Sequence, residues 1–225
     1  MTRRTNARIA GFTFLFYIAV AFPALVLFGR ATSAEETAAK LAGIASHATD
    51  VRITIVLSLL SGFSALVLAV TLYAITRDQD RDLAMLALTC RVGEGVVIGA
   101  FIPATVGVLW LATASGANAP DGVAAQAVGA FVLRVGDWNG TVAAAFFAAG
   151  STLFSWLLLR GRMIPTPLAW LGVVGSVLLV VGLPLQLAGF FRGPAFGLMW
   201  LPMAVFELVL GPWLIIKGVA TPATR

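Results

Sequence analysis

The sequence predicts an all-α, polytopic membrane protein: a six-transmembrane-helix bundle with a short surface helix after the first span. Composition and patterning carry this reading. Hydrophobic residues make up 60% of the 225-residue chain and charged residues 11%, with a mean hydropathy of +0.96. A soluble domain is roughly half apolar and about a quarter charged. The apolar residues also gather into stretches of the twenty or so residues that a bilayer's hydrocarbon, about 30 Å thick, demands. A chain of this length is expected to form one integral membrane domain over residues 1–225, with no room for a separate soluble one.

The elements follow in order. Ile9 to Phe28 carries no charge and follows a basic segment, Thr2 to Arg8. A cleaved signal has the same polarity, but its apolar region runs only about 7–15 residues, so a retained first span is expected. Ser33-Ala34-Glu35-Glu36 has a capping-box pattern, and Leu41, Ile44, Ala45 and Ala48 recur at helical spacing. Together they predict a helix on the membrane surface. Asp50 is the expected N-cap of the second span, 51–76. The charged turn Arg77 to Asp82 leads into the third, 83–113. Gly116, Asn118 and Pro120 mark a loop over 114–121. Residues 122–159 exceed one ordinary span. We expect a helix at 123–136, a break near Asp137-Trp138-Asn139-Gly140 and a fourth span at 139–159; one long tilted helix is the alternative. Pro165 and Pro167 end that helix. The fifth span is expected at 168–188, with Pro184 kinking it, and the sixth at 195–216.

Basic residues set the orientation. With the N-terminus inside, Arg3, Arg4, Arg8, Arg77, Arg81, Arg160, Arg162, Lys217 and Arg225 are inside, against Arg30, Lys40, Arg52 and Arg192 outside. Both termini are then cytoplasmic, and the net charge of +5 belongs to topology and anionic headgroups, so no nucleic-acid partner is expected. The single cysteine, Cys90, excludes an internal disulfide and a multi-cysteine metal site. His47 is the only histidine and is expected on the outer loop, so neither zinc nor haem is expected. The chain has no Gly-rich phosphate loop, serine elbow or zincin motif, and no cofactor is expected. Its tryptophans fall toward span ends, as an aromatic belt does.

Three stretches in order carry a resemblance. Arg8-Ile9-Ala10-Gly11 opens the first span, and Arg162-Met163-Ile164-Pro165 with Leu168-Ala169-Trp170-Leu171-Gly172 leads into the fifth. Pro202 to Leu208, then Gly211 and Trp213 to Gly218, fill the last. Within a six-span chain, these resemble a bacterial membrane family known as domain of unknown function 4386. The resemblance implies a six-helix fold, a glutamate in the last span at Glu207, and placement in a bacterial inner membrane. It implies no established activity.

The candidate functional residues are the charges the spans retain, because hydrocarbon penalises each by roughly 2.5–3.5 kcal/mol on insertion scales. Arg91 and Glu94 lie i, i+3 and share a helix face, either as a structural ion pair or with one partner free to bind an ion or proton. Arg134 and Asp137 repeat the spacing; with Asn139 they line a broken-helix ligand site or cap the outer interface. Glu207 lies near midspan with no basic residue within a turn. It either pairs across helices with Arg91 or Arg134, or holds its proton in low dielectric. The leading expectation is a small-molecule or lipid ligand in a polar pocket between spans three, four and six. The alternatives are an intramembrane enzyme using Glu94 and Glu207 as acid and base, and a scaffold whose charges are all structural. Surrounding membrane lipids are partners under every reading.

Overall fold

The structure, a computed structural model, describes residues 1–116, 121–190 and 194–220. Part of the expected 114–121 loop, residues 191–193 with Arg192, and residues 221–225 with Arg225 lie outside the described residues. The described residues form helices and no strand. They are α1 (Arg3–Ala31), α2 (Thr37–Ser46), α3 (Ala48–Thr76), α4 (Arg81–Thr113), α5 (Gly122–Arg160), α6 (Thr166–Leu187), a 3-10 helix (Pro194–Trp200) and α7 (Leu201–Ile216). Six of these elements are long and apolar enough to cross a membrane, the last counted from Gly197 through the end of α7. The fold class predicted from composition and patterning is thus the one observed, and α2 is the predicted short helix between the first two spans.

Side-chain caps define three of the seven α-helix starts. Thr2, Asp80 and Asp121 each accept a hydrogen bond from a backbone N–H three residues on, at 3.1, 3.1 and 2.7 Å, and so satisfy an orphan donor. Two expected caps are absent. Asp50 is not an N-cap, because α3 begins two residues earlier and places it in the first turn, where its charge still suits the helix dipole. The Ser33–Glu36 capping box does not form either. The Ser33 hydroxyl donates back to the Arg30 carbonyl at 3.1 Å, and Glu36 starts α2 without a side-chain cap.

The expected break in the fourth span is also corrected. Residues 122–160 form one helix of 39 residues, about 58 Å long at 1.5 Å per residue. Glycines at 136 and 140 each cost only about 1 kcal/mol in a helix and remove no hydrogen bond, so nothing in this segment forces an interruption. Packing also uses Gly136, where a Cβ would lie 2.9 Å from the Phe101 ring of α4.

Spanning helices pack in a closed ring: α1 on α3, α3 on α4, α4 on α5, α5 on α6, α6 on α7, and α7 back on α1. Gly11 allows the closing contact, since a Cβ there would lie 2.5 Å from the Gly211 carbonyl oxygen. Phe14, Leu68, Phe154, Met203 and Phe206 belong to the main core. Phe12, Phe22, Phe63, Val70, Val96 and Val181 are exposed, an apolar exterior suited to lipid. The short α2 touches α1, α3, α4 and α5 at one end of the ring, hereafter the α2 face.

Candidate functional site: a buried charge cluster beneath an open cavity

Midway along α4, Arg91 and Glu94 point into the ring and are each 1% exposed. The Arg91 Nη1 lies 2.9 Å from the Glu94 Oε2. That approach lacks the alignment of a hydrogen bond, and Nε, Nη1 and Nη2 have no hydrogen-bond partner among the described residues. The contact is an ion pair by distance only. The guanidinium instead faces aromatic rings, with Cζ 4.9 Å from the Phe147 centroid on α5 and 5.9 Å from that of Tyr17 on α1. Cation–π attraction strengthens when the cation is desolvated, so these rings replace part of its lost hydration. The Tyr17 hydroxyl donates to the Glu94 Oε1 at 2.8 Å. On α7, Glu207 is buried, its Oε1 has no hydrogen-bond partner among the described residues, and its neighbours Phe206 and Leu210 line the same small void as Arg91.

Three helices therefore bring one cation, two carboxyl groups and a phenol into the same core, and α5 adds the Phe147 ring. Small residues make room for them. A Cβ on Gly150 of α5 would lie 2.9 Å from the Arg91 Cγ, and one on Gly95 would lie 3.0 Å from the Gly62 carbonyl of α3. At Gly93 it would meet the Phe146 ring at 2.9 Å, whereas Gly99 faces open space.

Where a polar pocket between spans three, four and six is expected, the described residues pack closely around Arg91. Between α4, α5 and α7 the residues Phe154, Met203, Phe206 and Leu210 pack around Arg91 and leave a void of about 10 Å³. Such a void is at the lower limit for a single water molecule. The large cavity, of about 470 Å³, lies instead between α1, α3, α4 and α5, and Lys40 of α2 also lines it. It reaches down to Tyr17, the residue that contacts Glu94 on its other side. Its walls include Phe28, Ile98, Phe101 and Leu133. The hydroxyls of Thr32, Thr54 and Ser61 on the same walls donate to backbone carbonyls one turn back, at 2.8, 3.0 and 2.9 Å. With these three donors used in this way, the wall between the remaining polar groups is largely apolar.

The remaining sequence candidates separate from the cluster. Arg134 and Asp137 do share a face, but the 3.9 Å contact is exposed, with side chains 66% and 74% accessible. Asp137 lines the cavity without reaching the core, and Asn139, which also lines it, donates from Nδ2 to the Val97 carbonyl of α4 at 3.2 Å. Glu207 lies on the Arg91 side of the bundle, since Met203, Phe206 and Leu210 of its helix line the same void as Arg91, whereas Arg134 is exposed. His47 is exposed and lies 3.0 Å from the Gly43 carbonyl. Cys90 is half-buried and free. Among the described residues no group of histidine, cysteine or carboxylate side chains is arranged to hold a metal. Sequence reasoning missed Tyr17 and Phe147. The one available signal was Tyr17 itself, a phenol at midspan where a phenylalanine would satisfy lipid.

The model of one family, described as Domain of unknown function (DUF4386), matches residues 9–218. No curated protein and no solved structure matches the chain.

Proposed function

The chain belongs to the DUF4386 family, and from the geometry of its cavity we propose that it binds a small amphipathic molecule or a lipid between α1, α3, α4 and α5. The observation that carries this reading is a cavity of about 470 Å³ that ends on Tyr17, whose hydroxyl is bonded to Glu94. Ligand sites are concave, mostly apolar and of about 300–1,000 Å³, with a few placed polar groups. Here the walls suit an apolar body, and polar groups stand at separate heights: Lys40 on the α2 face, Asp137 and Asn139 below it, Tyr17 at the floor. Arg91, Glu94 and Glu207 lie behind Tyr17, so a ligand's polar group at the floor is one side chain away from a charged core. Binding, or transport of the bound molecule, takes place in this reading from the α2 face. By the positive-inside rule this reading has that face outside and both termini in the cytoplasm, and the proposal extends to a multi-pass protein of a bacterial inner membrane.

The scaffold reading has its own support: Arg91 and Glu94 already contact each other, and the void beside them is nearly closed. Filling the cavity separates the two. Gly140 lines it, and a Cβ there would meet nothing within 4 Å. A Gly140→Phe variant should fold, because the Cβ position is open and phenylalanine is a better helix former than glycine. Native mass spectrometry of the purified full chain should show a bound small molecule or lipid on the wild type that Gly140→Phe lacks. Identical spectra for the two proteins, with Gly140→Phe equally stable, would overturn the binding reading and leave the scaffold.

A further inference from the structure

A second pocket, of about 410 Å³, lies on the face opposite α2, where the C-terminal ends of α5 and α7 converge. Its apolar floor includes Met163, Ile164, Trp213 and Val219, and its cations are Arg162 and Lys217. The loop after α7 is fixed against the turn after α5, since the Ala220 N–H donates to the Met163 carbonyl at 2.9 Å. Neighbouring basic residues on this face are paired: Arg3 with Asp78, and Arg160 with Asp80. Among the described residues, no carboxylate lies within ion-pair distance of Arg162 or Lys217. Arg4 lies beside the pocket without lining it, its Cγ 4.0 Å from where a Cβ on Gly218 would be.

The backbone at Arg162 is unusual as well. The Arg162 and Met163 N–H groups donate to the carbonyls of Leu159 and Leu158, each at 3.0 Å, which is a Schellman ending of α5. That motif needs a left-handed residue, and Arg162 supplies it at φ 50°. Glycine is the residue that adopts this conformation without strain. The corresponding turn after α7 does use glycine, Gly218 at φ 73°. An arginine therefore stands where the turn alone favours glycine, and it lines the pocket.

We propose that this pocket holds the phosphate-bearing headgroup of an anionic phospholipid, with Arg162 and Lys217 on the phosphate and Trp213 against the glycerol and upper acyl region. Lipid suits the site because it lies at the end of two spanning helices, beside the lipid-facing Ile216, which is 68% exposed. Tryptophan favours this interfacial depth, and arginine matches phosphate with its planar fork of donors. A purely local role is the competitor, since a cation near a helix C-terminus also complements the dipole.

Native mass spectrometry of the detergent-solubilised full chain tests the site, with phosphatidylglycerol, phosphatidylcholine and inorganic phosphate as separate additions. The wild type should retain phosphatidylglycerol in preference to phosphatidylcholine. Arg162→Gln with Lys217→Gln should weaken that retention on the order of thirtyfold, from the contribution of each cation beside an anionic headgroup. Arg30→Gln with Arg52→Gln, which removes equal charge elsewhere, should leave retention unchanged. An equal loss in that control would show diffuse charge attraction and overturn the proposal. Displacement of the lipid by inorganic phosphate would assign the site to a free anion and overturn the lipid source. Arg162→Gly keeps the turn intact: it should unfold at a higher temperature yet bind phosphatidylglycerol more weakly. Undiminished binding by that variant would reduce Arg162 to a turn residue.

Discussion

Arg91 cannot shed its charge, whereas Glu94 and Glu207 can each be neutralised by a proton, and that asymmetry governs how the core responds to substitution. Glu94→Gln leaves Glu207 to balance the guanidinium, and Glu207→Gln leaves Glu94, so each alone should cost about 1.5–3 kcal/mol, the value of a charge-assisted interaction. Together they strand a buried cation. The double variant should therefore lose about 1–3 kcal/mol more than the sum of the singles, read from thermal unfolding in detergent. Additive losses would mean the two carboxyls do not share Arg91. Tyr17→Phe keeps the ring over the guanidinium but removes the donor to Glu94 Oε1, and should cost about 1–3 kcal/mol. Arg91, Glu94 and Glu207 were legible in the sequence because charge within an apolar run is expensive and therefore conspicuous. Phe147 was not, since an aromatic ring in a span satisfies lipid as readily as it satisfies a cation, and Tyr17 differed from such a ring only by its midspan hydroxyl. Arg134 and Asp137 mark the limit of spacing arguments. An i, i+3 interval places two side chains on one face of a helix, but it does not say whether that face turns inward.

Helix boundaries and crossings were unequally legible for the same kind of reason. Length and apolarity marked the six spans, because the bilayer imposes both. The continuity of α5 was hidden, since Asp137, Asn139 and the neighbouring glycines favour a turn in water while the surrounding helices keep the segment helical. Closure of the ring by α7 on α1 depends on a contact that no single-helix pattern reveals. At Gly11 an added Cβ would meet the Gly211 carbonyl oxygen at 2.5 Å, the Ile215 Cγ1 at 2.9 Å and the Leu214 Cβ at 2.9 Å. Backbone and branched side chains give way poorly, so Gly11→Ala should destabilise the protein by about 1–3 kcal/mol, as overpacking does. Gly29→Ala on the same helix has open space around it and serves as the matched control: its unfolding temperature should not fall. Equal behaviour of the two variants would show that the α1–α7 crossing adjusts freely.

Across the whole molecule, charge is segregated along the membrane normal as well as buried at its centre. Arg77, Arg81, Arg160 and Arg162 lie at helix ends on one face, with Arg3 and Arg4 at the start of α1, whereas Lys40 and Arg52 lie at or beside α2 on the other. Because basic segments resist translocation, the first group should be cytoplasmic and the cavity mouth beneath α2 should open to the opposite side. Cys90, the chain's one cysteine, makes the test direct. In a Cys90→Ala background, Lys40→Cys should react with a membrane-impermeant maleimide on intact cells. Arg81→Cys, at an exposed position on the other face, should react only after the membrane is opened. The reverse pattern would invert the orientation, place the cavity mouth in the cytoplasm, and move the Arg162–Lys217 pocket to the outer leaflet. A ligand for the cavity would then have to come from inside the cell, so this labelling result decides where its search begins.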